Sequence, residues 1–110
     1  PTYLPDDMQA DYDRYWTDAR VDRVLDVLER YGIALEINAR YRIPSFGIIR
    51  RAKQRGIKFT FGTNNVDADF GRLEYSLEAV EKCGLTADDI WFPAMSVRRG
   101  RPVVLYNKFE

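Results

Sequence analysis

The chain has 110 residues, of which 45% are apolar, 14% aromatic and 31% charged. That balance belongs to one small globular domain and excludes a disordered tail or a collagen-like chain. The 17 basic and 17 acidic residues cancel, there is no histidine, and one cysteine cannot form an internal disulfide. Ser-His-Asp catalysis, Cys-His catalysis and His-ligated zinc are thereby excluded within this chain, and a reducing, cytoplasmic setting is expected.

No apolar run approaches the roughly 18 residues of a membrane span, so no membrane partner is expected. The start, Pro1 to Asp7, has no basic segment followed by an apolar one, so no signal peptide is expected either. The charges are segregated along the chain. Residues 1–32 carry 8 acids and 4 bases, residues 33–66 carry 1 acid and 7 bases, residues 67–93 carry 7 acids and 2 bases, and residues 94–110 carry 1 acid and 4 bases. The basic middle block has two readings: a site for an anion, or a solvated helix face meeting the acidic segments on either side.

The first 16 residues hold two prolines, four aspartates, three tyrosines and a tryptophan, and read as a long aromatic loop. Thr17 is a good N-cap for a helix over 18–31, with Val21, Val24, Leu25 and Leu28 on its apolar face and Gly32 as its stop. Residues 33–38 then read as a short strand. Pro44-Ser45 opens a helix over 46–55, with Phe46, Ile48, Ile49 and Ala52 apolar and Gly56 ending it. Residues 57–61, aromatic and β-branched, read as a second strand. A third helix over 70–83 is expected to bury Phe70, Leu73, Leu77, Val80 and Cys83, with Gly84 as its stop. Thr86 could cap a short turn before Trp91-Phe92-Pro93, and Asp88-Asp89 reads as a solvated first-turn pair. Residues 94–110 form a separate C-terminal hairpin or tail.

The order helix, glycine, strand recurs through Tyr31-Gly32-Ile33, Arg55-Gly56-Ile57 and Cys83-Gly84-Leu85. Such alternation builds adjacent parallel strands joined by right-handed crossover helices lying on one face. Two strands and three helices are not a closed architecture, so the chain reads as part of a larger α/β fold. Homo-oligomerisation, or a missing N-terminal half packed against it, would complete the sheet.

Ligands in parallel α/β units bind at the carboxyl ends of the strands. There the sequence places Glu36, Asn38, Arg40 and Arg42 after the first strand, and Thr63, Asn64 and Asn65 after the second. Arg40 and Arg42 carry forked donors suited to phosphate, sulfate or a small phosphorylated molecule, and otherwise pair with aspartates on adjacent loops. Glu36 and Asn64 offer weak oxygen ligands to a divalent ion. Asn64 and Asn65 equally suit a tight turn after Gly62, and Glu36 a paired acid. Cys83, on an apolar stripe, reads as a small core residue, and Trp16 and Trp91 as packing residues. Arg98-Arg99-Gly100-Arg101 is too short to argue nucleic-acid binding, which is not expected.

Ala34-Leu35-Glu36-Ile37-Asn38, followed by Ala52-Lys53-Gln54-Arg55-Gly56-Ile57-Lys58-Phe59-Thr60-Phe61-Gly62, resembles the C-terminal part of a PHP domain, the polymerase-and-histidinol-phosphatase superfamily. Pro1 to Pro5 is similar to the stretch directly after a metal-ligand histidine of that family, and Gly71-Arg72-Leu73-Glu74-Tyr75 to the helix after its last metal loop. The resemblance covers about 1–93 and is most specific over 34–64. It implies the C-terminal portion of a distorted, seven-stranded, TIM-like β/α barrel of parallel strands. It also implies a metal-dependent phosphoesterase that uses zinc, manganese or magnesium. The family's Gly-Ser-Asp-Ala-His is here Gly62-Thr63-Asn64-Asn65-Val66, so an amide replaces a metal-binding aspartate and a valine a histidine. With the remaining ligands expected in an absent N-terminal half, this chain alone is expected to hold no tight metal and to be inactive. Three readings follow: a C-terminal fragment of such a hydrolase with a degenerate metal loop, a non-catalytic PHP-related binding module, or an α/β fragment that completes its sheet by self-association. For the site, Asn38, Arg40, Arg42 and Thr63 are the expected anion binders, and Asn64 and Glu36 the weak metal ligands.

Overall fold

The computed structural model describes residues 4–63, 71, 73–98 and 101–105, the last two stretches including a hairpin known by its backbone. A 3-10 helix, Asp6–Asp11, runs into a single helical turn, α1 (Tyr12–Tyr15). The expected aromatic loop is therefore mostly helical. Tyr12 and Trp16 pack against the core, and the Tyr12 hydroxyl accepts from the Ser45 amide at 3.3 Å.

Helix α2 (Asp18–Tyr31) begins where Thr17 Oγ1 accepts from the Arg20 amide, and helix α3 (Phe46–Gln54) where Ser45 Oγ accepts from the Ile48 amide. Each oxygen satisfies an amide that the first turn leaves without a partner. Strand β1 (Leu35–Asn38) pairs in parallel with β2 (Phe59–Gly62), Leu35 opposite Phe59 and Asn38 opposite Gly62. Helix α4 (Glu74–Cys83) follows.

Both strands begin two residues later than expected, and helix closure explains it. The Ile33, Ile57 and Leu85 amides donate back to the Leu28, Ala52 and Val80 carbonyls at 2.9, 3.1 and 3.0 Å. Each follows a glycine in the left-handed region, Gly32, Gly56 and Gly84 at φ 63°, 74° and 64°. These are Schellman closures, and the apolar residue after the glycine is committed to the helix end before the strand can start.

A single core joins Leu35, Ile37 and Phe59 to Val21, Leu25 and Leu28 of α2, Ile48, Ile49 and Ala52 of α3, and Tyr75, Ala79 and Cys83 of α4. All three helices thus cover one face of the sheet, with α3 between the other two. By the two-residue period, the opposite face carries Glu36, Asn38, Thr60 and Gly62. The sheet also extends past β2, because Ile90 bridges Phe59 in parallel and the Trp91 amide donates to the Phe59 carbonyl at 2.8 Å.

The buried stripe of α4 is not the expected one. Leu73 and Leu77 are exposed, Tyr75, Ser76 and Ala79 are buried, and Phe70 lies outside the described residues. Small Ser76 and Ala79 let the helix approach closely, while the Tyr75 ring stacks on Phe46 at 5.1 Å and its hydroxyl donates to the Pro44 carbonyl. Cys83 is buried as expected, and burial pushes its thiol pKa up, as befits a packing residue.

The basic block resolves largely into helix-to-helix pairing. Arg51 pairs with Asp18 and Asp22, and Arg55 with Asp22, Asp26 and Glu29, tying α3 to α2. Lys53 reaches the Gly84 carbonyl and Asp89 at 2.8 and 2.9 Å. Asp89 is therefore clasped rather than solvated. Residues Ala94–Arg98 (β3) and Arg101–Leu105 (β4) form an antiparallel hairpin, Arg98 opposite Arg101. Among the described residues, no helix is long and apolar enough to cross a membrane.

Candidate functional site

The loop after β1 is short and self-closed. The Asn38 amide donates to the Ile43 carbonyl at 2.7 Å, and the Ile43 amide returns to Asn38 at 3.2 Å. The Asn38 side chain holds the loop from inside. Its Oδ1 accepts from the Tyr41 amide at 3.1 Å, and its Nδ2 donates to Glu36 Oε1 at 3.0 Å. The loop is locked to β2 by the Ala39 amide donating to the Gly62 carbonyl at 2.9 Å.

Glycine at 62 leaves room for this clamp. A Cβ there would stand 2.4 Å from Glu36 Oε1 and 2.7 Å from its Cδ. The carboxylate therefore lies across Gly62, and a larger residue would push Glu36 off the Asn38 amide.

The loop turns at Arg42, whose φ of 53° is left-handed, a conformation uncommon for any residue with a Cβ. Two side-chain contacts and the neighbouring backbone bridge hold Arg42. Its guanidinium lies over the Tyr75 ring at 4.8 Å, its Nη2 pairs with Glu78 Oε2 at 3.1 Å, and its backbone precedes the Ile43 bridge. The Arg42 side chain remains 56% exposed and that of Glu78 39% exposed, so this pair is solvent-screened and weak. Arg40 lies over the Tyr41 ring at 6.0 Å.

These residues border a cleft of about 450 Å³ lined by Ala39, Arg40, Tyr41, Arg42, Thr63, Glu74 and Tyr75. Burial pushes the Tyr75 phenol up to about 12, with the Arg42 charge pulling the other way. The neutral phenol thus supports the loop through Pro44 while Arg42 covers its ring.

Of the expected site residues, Arg40, Arg42 and Thr63 meet in this cleft. Asn38 and Glu36 sit behind it as a clamp, both engaged with each other, on the polar face of the sheet. Asn64, Asn65 and Val66 lie outside the described residues. Tyr75 and Glu78 are the positions that sequence reasoning missed as site components. No sequence signal marked them, because the leucine periodicity turned α4 the other way and their partners Pro44 and Arg42 lie 31 and 36 residues distant. Among the described residues, no three His, Cys, Asp or Glu side chains stand together as a metal group. Among the described residues, Glu36 is the one sheet carboxylate behind the cleft and its Oε1 already accepts from Asn38, so it does not by itself make a metal centre.

No protein-family model, curated protein or solved structure matches the chain.

Proposed function

We propose that the chain is the C-terminal portion of a PHP-like, TIM-like β/α barrel, a metal-dependent phosphoesterase with a degenerate metal loop, and that its own part is to bind the phosphoryl group. The observation carrying this reading is that Arg40 and Arg42 border one cleft with Thr63 at the carboxyl ends of two parallel strands. Two forked guanidiniums and a hydroxyl are the donors a phosphate oxyanion needs. The Arg42–Glu78 pair is exposed, so an anion can compete for that guanidinium at small cost.

The polar face of the sheet, Glu36, Asn38, Thr60 and Gly62, is the face such a barrel would turn inward. A divalent zinc, manganese or magnesium ion would belong to a complete parent, which must supply most of its ligands. No step of the chemistry is assigned to this chain through that ion. The alternative, a non-catalytic PHP-related binding module, is favoured by Asn64 and Val66 standing where the family pattern has aspartate and histidine. Both readings share the anion cleft.

Calorimetric titration with inorganic phosphate tests it. Arg40→Ala and Arg42→Gly are each expected to weaken binding by about tenfold or more, the worth of one charge-assisted hydrogen bond. Glycine at 42 accepts the left-handed backbone, so the fold is kept. Absence of phosphate binding to the unmodified chain, or unchanged affinity in the double variant, would overturn the reading.

A further inference from the structure

The three-helix layer leaves an apolar flank at each of its two ends. On α2, the flank carrying Asp18, Asp22, Asp26 and Glu29 faces α3 through Arg51 and Arg55. The opposite flank carries Val24, Val27 and Tyr31, and Val27 and Tyr31 are 50% and 52% exposed. On α4, Glu78 and Lys82 face the β1–α3 loop and α3, through Arg42, the Phe46 ring and Arg50. Its far flank carries Leu73, Leu77 and Val80, with Leu77 66% exposed.

The two flanks match in shape and oppose in charge. Side chains three and four residues away surround a helical position. Val27 is thereby bordered by Val24 and Tyr31 and by the bases Arg23 and Arg30. Leu77 is bordered by Leu73 and Val80 and by the acids Glu74 and Glu81. Each patch is an exposed aliphatic centre with two apolar neighbours and two charges, basic on α2 and acidic on α4. Helices α2, α3 and α4 each lead into a parallel strand position, so they share one direction. An α4 laid beside an α2 in that direction continues the layer as α3 already does inside the chain.

The sheet agrees. Leu35 and Ala39 use their amides toward β2, so the Glu36 amide and carbonyl point to the outer edge of β1, on the α2 side.

We infer that a second copy of this chain docks head to tail, the Leu73–Leu77–Val80 flank of one copy on the Val24–Val27–Tyr31 flank of the next. The contact joins two different patches, so it builds a ring where the rotation between copies closes and an open chain of copies where it does not. It meets the anion cleft at Glu74, which no variant below alters, and its test reads mass, not phosphate binding.

Sedimentation equilibrium of the chain from about 10 µM to about 1 mM spans the affinities of small, transient contacts. The average mass is expected to climb from the 12.9 kDa of one copy to at least double that value. Val27→Glu and Leu77→Arg each spoil one patch, and each variant alone is expected to stay monomeric. Mixed together they are expected to associate, because an intact α4 flank on one meets an intact α2 flank on the other. Arg23→Glu with Arg30→Glu leaves the apolar residues in place and is expected to weaken association at least tenfold. All these positions are exposed, so circular dichroism should report an unchanged fold. A constant single-copy mass for the unmodified chain overturns the inference. So does wild-type association by either single variant alone, or failure of the mixture to associate.

Discussion

Arg42 and Tyr75 show how one residue serves both architecture and site. A left-handed arginine costs on the order of 1–2 kcal/mol relative to a glycine. An exposed ion pair to Glu78 returns about 0–1 kcal/mol, and the ring contact with Tyr75 about 0.5–1 kcal/mol. The position is near balance in stability, so exchanging Glu78 for a bound anion at its guanidinium would cost the fold little. Tyr75 carries the firmer role. Its folded-state pKa is raised, so the neutral phenol is the form the fold favours. Its stabilisation is full below the ordinary value of 10.0 and is lost as pH rises toward about 12. Alkaline unfolding of the chain is expected to steepen in that window. Tyr75→Phe should remove the slope while costing about 1–3 kcal/mol at neutral pH, because the buried Pro44 carbonyl loses its donor. Urea melts of both proteins across the alkaline range check this.

At the scale of elements, the turn after α4 is pinned by a carboxylate. Asp89 Oδ2 accepts from the Thr86 amide at 2.8 Å and from Lys53 Nζ at 2.9 Å, joining that turn to α3. The Lys53 hydrogen bond first, and the Thr86 amide second, hold the Asp89 carboxyl below its ordinary pKa. A depressed carboxylate contributes stability above its unfolded value and loses it as pH falls through the folded one. The clasp is thus intact at neutral pH and is released below the ordinary aspartate range. Asp89→Asn is expected to cost about 1 kcal/mol at pH 7, as a lost cap does, and to flatten the acid limb of the stability profile. Chemical denaturation at a series of acidic pH values measures both effects. In the sequence, Lys53 is one charge of a basic block. Its partner lies 36 residues away, and no spacing rule reaches that far.

The whole molecule rests on Phe59, which no solvent reaches, between Leu35 on one side and the Ile90–Trp91 backbone on the other. Phe59→Ala is expected to cost about 3–5 kcal/mol, from lost burial and the cavity left behind. A small domain holds about 5–15 kcal/mol in all, so thermal melting followed by circular dichroism should show a large fall in midpoint or loss of the cooperative transition. Among the described residues, the same core covers one face of the sheet. Parallel sheets are ordinarily covered on both, and here the second face is polar while both ends of the helix layer expose aliphatic side chains. An architecture of this kind expects neighbours, which is why association is the property most worth measuring.

Local rules were legible without the structure. Thr17, Ser45 and the three helix-closing glycines are recognised by short-range chemistry. The bounds of α2 came out at 18–31 as expected, and β1 and β2 proved adjacent and parallel. Arg40, Arg42 and Thr63 could be placed together because parallel strands send their following loops to one edge. Tertiary structure decided what depends on distant partners. Periodicity on α4 favoured Leu73 and Leu77 for burial, yet both are exposed, because a tyrosine that stacks on Phe46 and bonds to Pro44 outweighs a regular leucine stripe. The basic block pairs mostly with α2 because α3 happens to lie against it. Asn38 became a clamp for its own loop because Glu36 and the Tyr41 amide close on it. A sequence records which side chains can pair or pack; which of them do is settled by the elements the fold brings within reach.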